Sequence, residues 1–430
     1  MKIQGIRWGV WGYGVVGKSV ARFLHERGAQ VSIYDQNPLE QTQELPYTIY
    51  QPDQLTSFLE EQSQIVPSPG IDITYYYATH NHKFIAELDL FYTFFKKPII
   101  AITGSVGKTT ITRIMSMFLE KAGYKILTAG NIGLGMCDFI AQQDQYDTAV
   151  LEVSSFQLEY IQCFAPHLAI ITPFHPNHLD RHKTIKNYRN AKLNILKYQT
   201  ESDYAVVPYV LKRFALYASA QTSWYRKNRF NIFIDHLPQL TFKENMNIIF
   251  QAILTLGFSP FQVITILRTI TLNQEHRLEH VKTIHSVEYI NDSKATTPAS
   301  TLAAVDFLNN KPIHLLLGGL SKGVCRKDLI KSLQNKVKRV YCFGAEADTL
   351  YAWCQEYGIP AQSTIDLSSC VADAQKKATP NEIILLSPGG SSYDLFKNYQ
   401  ERGNEFKKII IKCNDKIINT NRYSKSSEQQ

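Results

Sequence analysis

The sequence predicts an α/β protein of three domains in series, each built on a parallel sheet. Three observations point there. A glycine turn, "WGYGVVG", follows the apolar run "IRWGV" and leads into the amphipathic stretch "GKSVARFLHERG". Ninety residues further on, "IIAITGSVGKTTITRIM" repeats the succession of strand, glycine loop and helix. From about residue 275, short β-rich runs that end in polar clusters alternate with helical stretches. Strands alternating with helices make βαβ units, and these place ligands at the carboxyl ends of the strands.

In chain order, residues 1–95 read as a Rossmann-like domain with strands at "GIRWGVWG", "QVSIYD" and "QIVPSPGI". Residues 96–273 read as a central P-loop ATPase domain, with further strands at "DTAVLEV" and "HLAIITP". Two helices belong to it, "NYRNAKLNILKYQ" and "KENMNIIFQAILTLGF", the second stopped by Gly257. Between about 200 and 245 the pattern weakens and no motif is placed. Residues 274–412 read as a second Rossmann-like domain, with strands at "VEYIND", "PIHLLLGG", "RVYCFG" and "NEIILLSPG". The basic stretch 413–430 reads as a disordered tail.

The bulk properties narrow the class. At 430 residues the chain is long enough for several full cores, and 44% hydrophobic with 20% charged residues is ordinary for a globular protein. The net charge of +8 is spread along the chain, which suits anionic small molecules and gives little support to nucleic acid. Seven cysteines with no C-x-x-C pair argue for free thiols in a reducing compartment. The chain enters a strand directly, and no apolar run reaches the ~18 residues of a membrane helix. A cytoplasmic protein away from the membrane is expected.

Several groups carry chemistry. In "TGSVGKTT", Gly104 and Gly107 let backbone N–H groups face one concavity at a helix start. Lys108 can reach β- and γ-phosphates and the Thr109 hydroxyl can meet Mg²⁺. The strict G-x-x-x-x-G-K-[ST] pattern fails, since its first glycine would fall on Ile102; the loop is a tighter variant. Glu152 ends an apolar strand, in position to serve a magnesium ion. His175, His178, Asp180 and His182 crowd "PFHPNHLDRH", but no H-E-x-x-H or cysteine pair accompanies them, so zinc is disfavoured. Lys192 lies on a helix, and spacing alone gives no reason to single it out. Arg277, Asp292, Lys294, Thr296, Lys322, Ser391 and Ser392 gather at strand ends of the third domain. In the first turn, Gly12, Gly14 and Gly17 suit a pyrophosphate, and Asp35 closes the next strand eighteen residues after Gly17. An NAD dehydrogenase reads the same way at this point.

The ordered set "TGSVGKTT", "NIG", "LEVSSFQLE", "NHLDRH", "NYRNAK", "EHRLE", "NDSKATTPAST", "LLGGLSKG" and "LLSPGGSSYDLFKNYQERG" resembles the Mur ligases of peptidoglycan synthesis from about residue 5 to 410. Within the family it is most similar to the branch that adds D-glutamate to UDP-N-acetylmuramoyl-L-alanine. The resemblance implies ATP-driven amide formation through an acyl phosphate, and a monomer acting on small molecules. It implies ATP contacts from Gly104, Ser105, Gly107, Lys108, Thr109, Thr110, Asn247, Arg277, Asp292 and Lys294. Thr109, Glu152, His178 and a carbamylated Lys192 would hold magnesium, as two ions, and Lys108, Glu152, His178 and Lys192 would serve catalysis. Gly14, Asp35, Ser68, Gly70 and Asn131 would meet the UDP-substrate, so that the first turn carries its diphosphate. Thr296, Lys322 and Ser392 would hold D-glutamate, with Tyr399 packed nearby.

Four places depart from the family pattern: Asn177 for Asp, Glu244 for Asn, Gly389-Gly390 for Ala-Cys, and "VCRKD" after Gly323. The alternatives are an L-alanine-adding relative, a folate-glutamylating ligase, a P-loop switch or binding protein, and a dehydrogenase with an incidental P-loop. The folate ligases lack the first glycine-turn domain.

Overall fold

The computed structural model describes residues 1–38, 45–133, 135–226, 228–238, 240–272, 274–321 and 323–426, with side chains described to residue 412. Lys322, one of the expected amino-acid ligands, lies outside the described residues. The chain is mixed α/β, with three sheets. By internal contacts it divides into two compact units, residues 1–174 with 186–270, and residues 175–185 with 271–430.

The first unit holds two sheets. One is wholly parallel, in the order Thr48–Tyr50, Gln30–Tyr34, Arg7–Trp11, Gln64–Pro67. The strand order reverses beside Arg7–Trp11, which puts the glycine turn at the crevice where such sheets take ligands. The other sheet is also parallel, in the order Gln221–Tyr225, Tyr204–Pro208, Leu168–Ile171, Ile99–Thr103, Thr148–Glu152, Ile126–Gly130. Ile99–Thr103 is buried throughout, as its unbroken apolar run requires. Helix Lys108–Lys121 follows it and buries Ile111, Ile114, Met115, Phe118 and Leu119, one stripe at helical spacing. Two strands, Tyr204–Pro208 and Gln221–Tyr225, fall in the region 200–245 where the sequence pattern was weak.

The second unit holds a sheet in the order Glu279–Ile284, Val287–Asn291, Ile383–Leu386, Ile313–Gly318, Arg339–Phe343, Ala361–Ser363. Only its first pair, Glu279–Ile284 on Val287–Asn291, is antiparallel. Its two faces are covered by separate apolar clusters, one around Leu315 and Leu385 and one around Leu316 and Phe406. The last helix, Tyr399–Ser426, continues through most of the stretch read from sequence as a tail. Among the described residues, no helix is long and apolar enough to cross a membrane.

Candidate active site

The phosphate loop follows the central strand of the second sheet, and its glycines are forced. Gly104 has φ of +140°, and a Cβ there would lie 2.0 Å from Thr172 Oγ1. Gly107 has φ of +91°, and its Cβ would lie 2.5 Å from Asn245 Oδ1. The loop is pinned from several sides. The Ser105 N–H donates to the Pro173 carbonyl at 3.1 Å, and the Thr172 hydroxyl donates to the Val106 carbonyl at 2.6 Å. Ser105 Oγ and the Tyr188 hydroxyl are 3.0 Å apart. Gly107 offers no side chain to cap the helix that starts at Lys108. That is the geometry of an anion site. The Lys108 ammonium donates back to the Gly104 carbonyl at 3.1 Å, directly over the loop.

At the end of the neighbouring strand, Glu152 is 3% exposed. Its Oε1 accepts from Asn131 Nδ2 at 3.2 Å, while Oε2 is buried with no hydrogen-bond partner. A buried carboxylate oxygen left unpaired is costly unless a cation or donor completes it. The turn that brings Asn131 there needs Gly130, whose φ is +96° and whose Cβ would meet the Glu152 carbonyl at 2.3 Å. After the strand, Ser154 and Gln157 form a reciprocal cap on the helix Ser155–Leu158, which explains the spacing in "SSFQL". Lys192 is 3% exposed and its Nζ lies 4.7 Å from the Tyr188 ring centre. Burial, and next the Lys108 charge, push its amine well below the ordinary lysine range, with Glu152 opposing. Lys108 and Glu152 thus each act electrostatically on Lys192.

His178 belongs to the second unit. It starts the short helix Leu179–His182 in the left-handed region, at φ of 53°. Asn177 is buried and its Oδ1 accepts the His178 N–H at 2.9 Å, a role that an amide and a carboxylate share. Among the described residues, no group of three or more His, Cys, Asp or Glu side chains is placed to hold a metal.

In the third sheet, Asp292 is buried and accepts from Ser387 Oγ at 2.8 Å and from the Leu278 N–H at 3.3 Å. Burial raises its carboxyl to about 6, with the Arg277 charge next and opposing. Lys294 Nζ lies 5.5 Å from the Tyr399 ring centre, and its N–H donates to the His276 carbonyl. The Thr296 N–H donates to the Lys294 carbonyl. Ser392 is 2% exposed, and its carbonyl accepts the Phe396 N–H. Asp292, Lys294, Thr296, Ser392 and Tyr399 are therefore brought to neighbouring strand-end loops of one sheet.

In the first sheet, a Cβ on Gly17 would lie 1.9 Å from the Gly12 carbonyl oxygen, whereas Gly14 has open space around it. Ser68 Oγ donates to the Gly12 carbonyl at 2.9 Å, and exposed Gly70 follows in the same turn. Both Asp35 oxygens are engaged by backbone amides, Oδ2 by Tyr13 at 2.7 Å and Oδ1 by Asn37 at 2.9 Å. Asp35 latches the turn, a role that the spacing from Gly17 does not distinguish from ribose binding.

Comparison with known proteins follows the same residues. The Mur ligase middle domain matches residues 102–236, and the Mur ligase glutamate ligase domain matches residues 276–390. The chain is 31% identical to the UDP-N-acetylmuramoylalanine–D-glutamate ligase of Caldanaerobacter subterraneus subsp. tengcongensis, over 96% of this chain and 99% of that one. It is 32% identical to the enzyme of the same name from Macrococcus caseolyticus, over 94% and 97%. The chain belongs to the Mur ligase family. The fold agrees with solved Mur ligases. The UDP-N-acetylmuramate–alanine ligase of Thermotoga maritima matches with a TM-score of 0.57 at 15% identity, covering 95% of this chain and 100% of that one.

Two of this Mur ligase's departures from the family pattern have a structural explanation. Asn247, expected at adenine, has its side chain committed: Nδ2 donates to Lys243 O and Asn231 Oδ1, and Oδ1 accepts the Phe230 N–H at 2.7 Å. Asn245, two residues earlier and so on the opposite side of the helix, is the residue that meets the phosphate loop at Gly107. Gly389-Gly390 and "VCRKD" come together in space: a Cβ on Gly390 would lie 2.8 Å from Arg326 Nη1. Sequence reading missed Arg326 and Arg402, both fully buried. Arg402 Nε donates to Ser293 Oγ at 3.0 Å and Nη2 to the Ser293 carbonyl at 2.8 Å, beside Asp292 and Lys294. Burial lowers its guanidinium to about 10. An arginine in the amphipathic run "NYQERGNEF" carries no sequence signal that separates it from a surface arginine.

Proposed function

We propose that the chain is an ATP-dependent ligase that adds D-glutamate to UDP-N-acetylmuramoyl-L-alanine, forming ADP and phosphate in peptidoglycan synthesis. The observation that carries the reading is the phosphate loop beside two buried groups, Glu152 with an unpaired oxygen and Lys192 with a depressed amine. The relatives named as D-glutamate-adding enzymes over nearly the whole chain favour this amino acid.

In this reading the backbone amides at the turn into the helix Lys108–Lys121 and the Lys108 ammonium grip the β- and γ-phosphates of ATP and neutralise charge along the transfer path. The γ-phosphoryl group passes to the alanyl carboxylate oxygen, the bond to ADP breaks, and an acyl phosphate forms. The D-glutamate amine attacks the acyl carbon and loses a proton, and phosphate leaves from the tetrahedral intermediate. Thr109, Glu152, His178 and carbamylated Lys192 would hold two magnesium ions, which supply charge neutralisation at the phosphates. The unpaired Glu152 oxygen fits a cation there. A neutral, buried lysine amine can add CO₂ through a new N–C bond and release a proton to solvent, becoming a carbamate anion, which answers why a lysine stands where cations need an anion. Arg277, Asp292 and Lys294 serve ATP, and Asn247 acts on that site only through the helix it steadies by its bonds to Phe230, Asn231 and Lys243. Thr296, Lys322 and Ser392, with Tyr399 alongside, receive D-glutamate. Gly14, Asp35, Ser68, Gly70 and Asn131 flank the UDP-substrate, with Asp35 holding the turn. In this reading the domains run over residues 1–95, 96–273 and 274–412. A cytoplasmic monomer fits small, soluble substrates.

Phosphate release from ATP with UDP-N-acetylmuramoyl-L-alanine tests the reading. Release with D-glutamate is expected; release with L-alanine or L-glutamate in its place contradicts it.

A further inference from the structure

The loops after strands Ile313–Gly318 and Ile383–Leu386 are tied together by one buried guanidinium. Arg326 Nη1 donates to the Gly318 carbonyl at 2.8 Å. Its Nη2 donates to the Gly319 carbonyl at 2.7 Å and to Glu346 Oε2 at 2.7 Å. The other Glu346 oxygen accepts the Ser321 N–H at 2.8 Å. Leu320 and Ser391 then exchange backbone hydrogen bonds, at 2.9 and 2.8 Å. The chain of contacts ends at Ser321 on one loop and at Ser391, next to Ser392, on the other.

The guanidinium fits because residue 390 has no side chain. A Cβ there would lie 2.5 Å from the Gly318 carbonyl oxygen and 2.8 Å from Arg326 Nη1, so even a methyl group displaces one of them. Burying an arginine costs several kcal/mol in desolvation, and apolar residues often fill such space at no loss of stability. A charge kept at this point is better explained by what it orders than by the stability it adds.

We infer that Arg326, Glu346 and Gly390 form a positioning unit that sets the spacing of the loops 319–321 and 389–392, and thereby the fit of the amino-acid substrate. The inference rests on the reading of those loops as the amino-acid site. Arg326 touches no substrate in this account; it acts through the loops.

The test is phosphate release by the full chain with each substrate varied in turn, for Arg326→Met, Arg326→Lys, Gly390→Ala and the double variant Arg326→Met with Gly390→Ala. Thermal unfolding is followed in parallel. Arg326→Met and Gly390→Ala are each expected to raise KM for the amino acid ~10-fold or more while KM for ATP moves less than about 2-fold. Lysine keeps the charge and most of the volume but not the fork, so Arg326→Lys is expected to be folded and intermediate. The double variant is expected to be no worse than the poorer single one, because both changes release the same contact. An unchanged amino-acid KM in folded variants overturns the inference. So does a rise in all three KM values together, in step with lost thermal stability. If the unmodified chain uses an amino acid other than D-glutamate, the specificity reading fails separately, and the variants are judged on the KM for that amino acid.

Discussion

The phosphate loop and the strand-end loops of the third sheet both bury charge, but they treat it in opposite ways. Beside the phosphate loop, Glu152 keeps a buried oxygen without a partner and Lys192 is driven toward its neutral form by burial. In the third sheet, the guanidiniums of Arg326 and Arg402 are spent on backbone carbonyls of Gly318, Gly319, Gly390 and Ser293. In the proposed reading a bound ion completes the first region. In the second the chain's own carbonyls take up the Arg326 Nη atoms and the Arg402 guanidinium, while Arg326 Nε is buried without a hydrogen-bond partner. The difference lies in the kind of group: a buried carboxylate oxygen without a donor fits a site that a cation completes, and guanidiniums spent on loop carbonyls fit a frame that holds those loops.

That contrast is broken or sharpened by variants in each region. The largest effect is expected at the phosphate loop: Glu152→Gln should lower the rate of phosphate release by roughly 10²–10³-fold, the scale of losing one charged partner of the transferred group, with little change in melting temperature. A fall in stability to match would place Glu152 in the frame instead. Arg402→Met should do the reverse, costing about 2–4 kcal/mol by stranding buried carbonyls, read as a drop of several degrees in unfolding temperature.

Asp292 gives a pH-dependent version of the test. Its carboxyl is raised by burial from an ordinary 3.8 to about 6, so the neutral form is the one the folded state favours. The stability it contributes is fully present below about 4 and is lost as pH rises through about 6. The loss approaches 3 kcal/mol at ~1.4 kcal/mol per tenfold change in proton affinity. Asp292→Asn should flatten that part of the unfolding profile; an unaltered profile contradicts the assignment. The smallest effect expected is in the helix Lys243–Thr255. Asn245→Ala, which removes the side chain against Gly107, should weaken ATP binding about 3–10-fold, the equivalent of one hydrogen bond. Asn247→Ala should act mainly on unfolding temperature, because its amide is committed to Phe230, Asn231 and Lys243.

Much of this was legible in the sequence, for a definite reason. Glycines required by a positive φ, such as Gly104 and Gly107, or by a close backbone approach, such as Gly17, leave a pattern at fixed spacing, and buried parallel strands leave apolar runs. The fold class, the phosphate loop and the strand-end clusters follow from those two signals. Residues whose importance comes from burial in a tertiary setting leave no local pattern. Lys192 looks like any helical lysine and stands out only through the family resemblance. Arg326 and Arg402 look like surface arginines until the loops close over them. Asn245 and Asn247 share a helix, and only its packing decides which one faces the phosphate loop. The strand Gln221–Tyr225 left a weak signal because it lies on the sheet edge, is only partly buried and is mixed in composition; Tyr204–Pro208 is mostly buried and apolar but only five residues long (5 res).

The central claim, that the buried Lys192 serves the reaction as a carboxylate, is tested most directly by Lys192→Ala assayed with and without short carboxylates. Phosphate release is predicted to vanish in the variant and to return in part when acetate or formate is added. Turnover equal to that of the unmodified chain, with no response to added carboxylate, would contradict it.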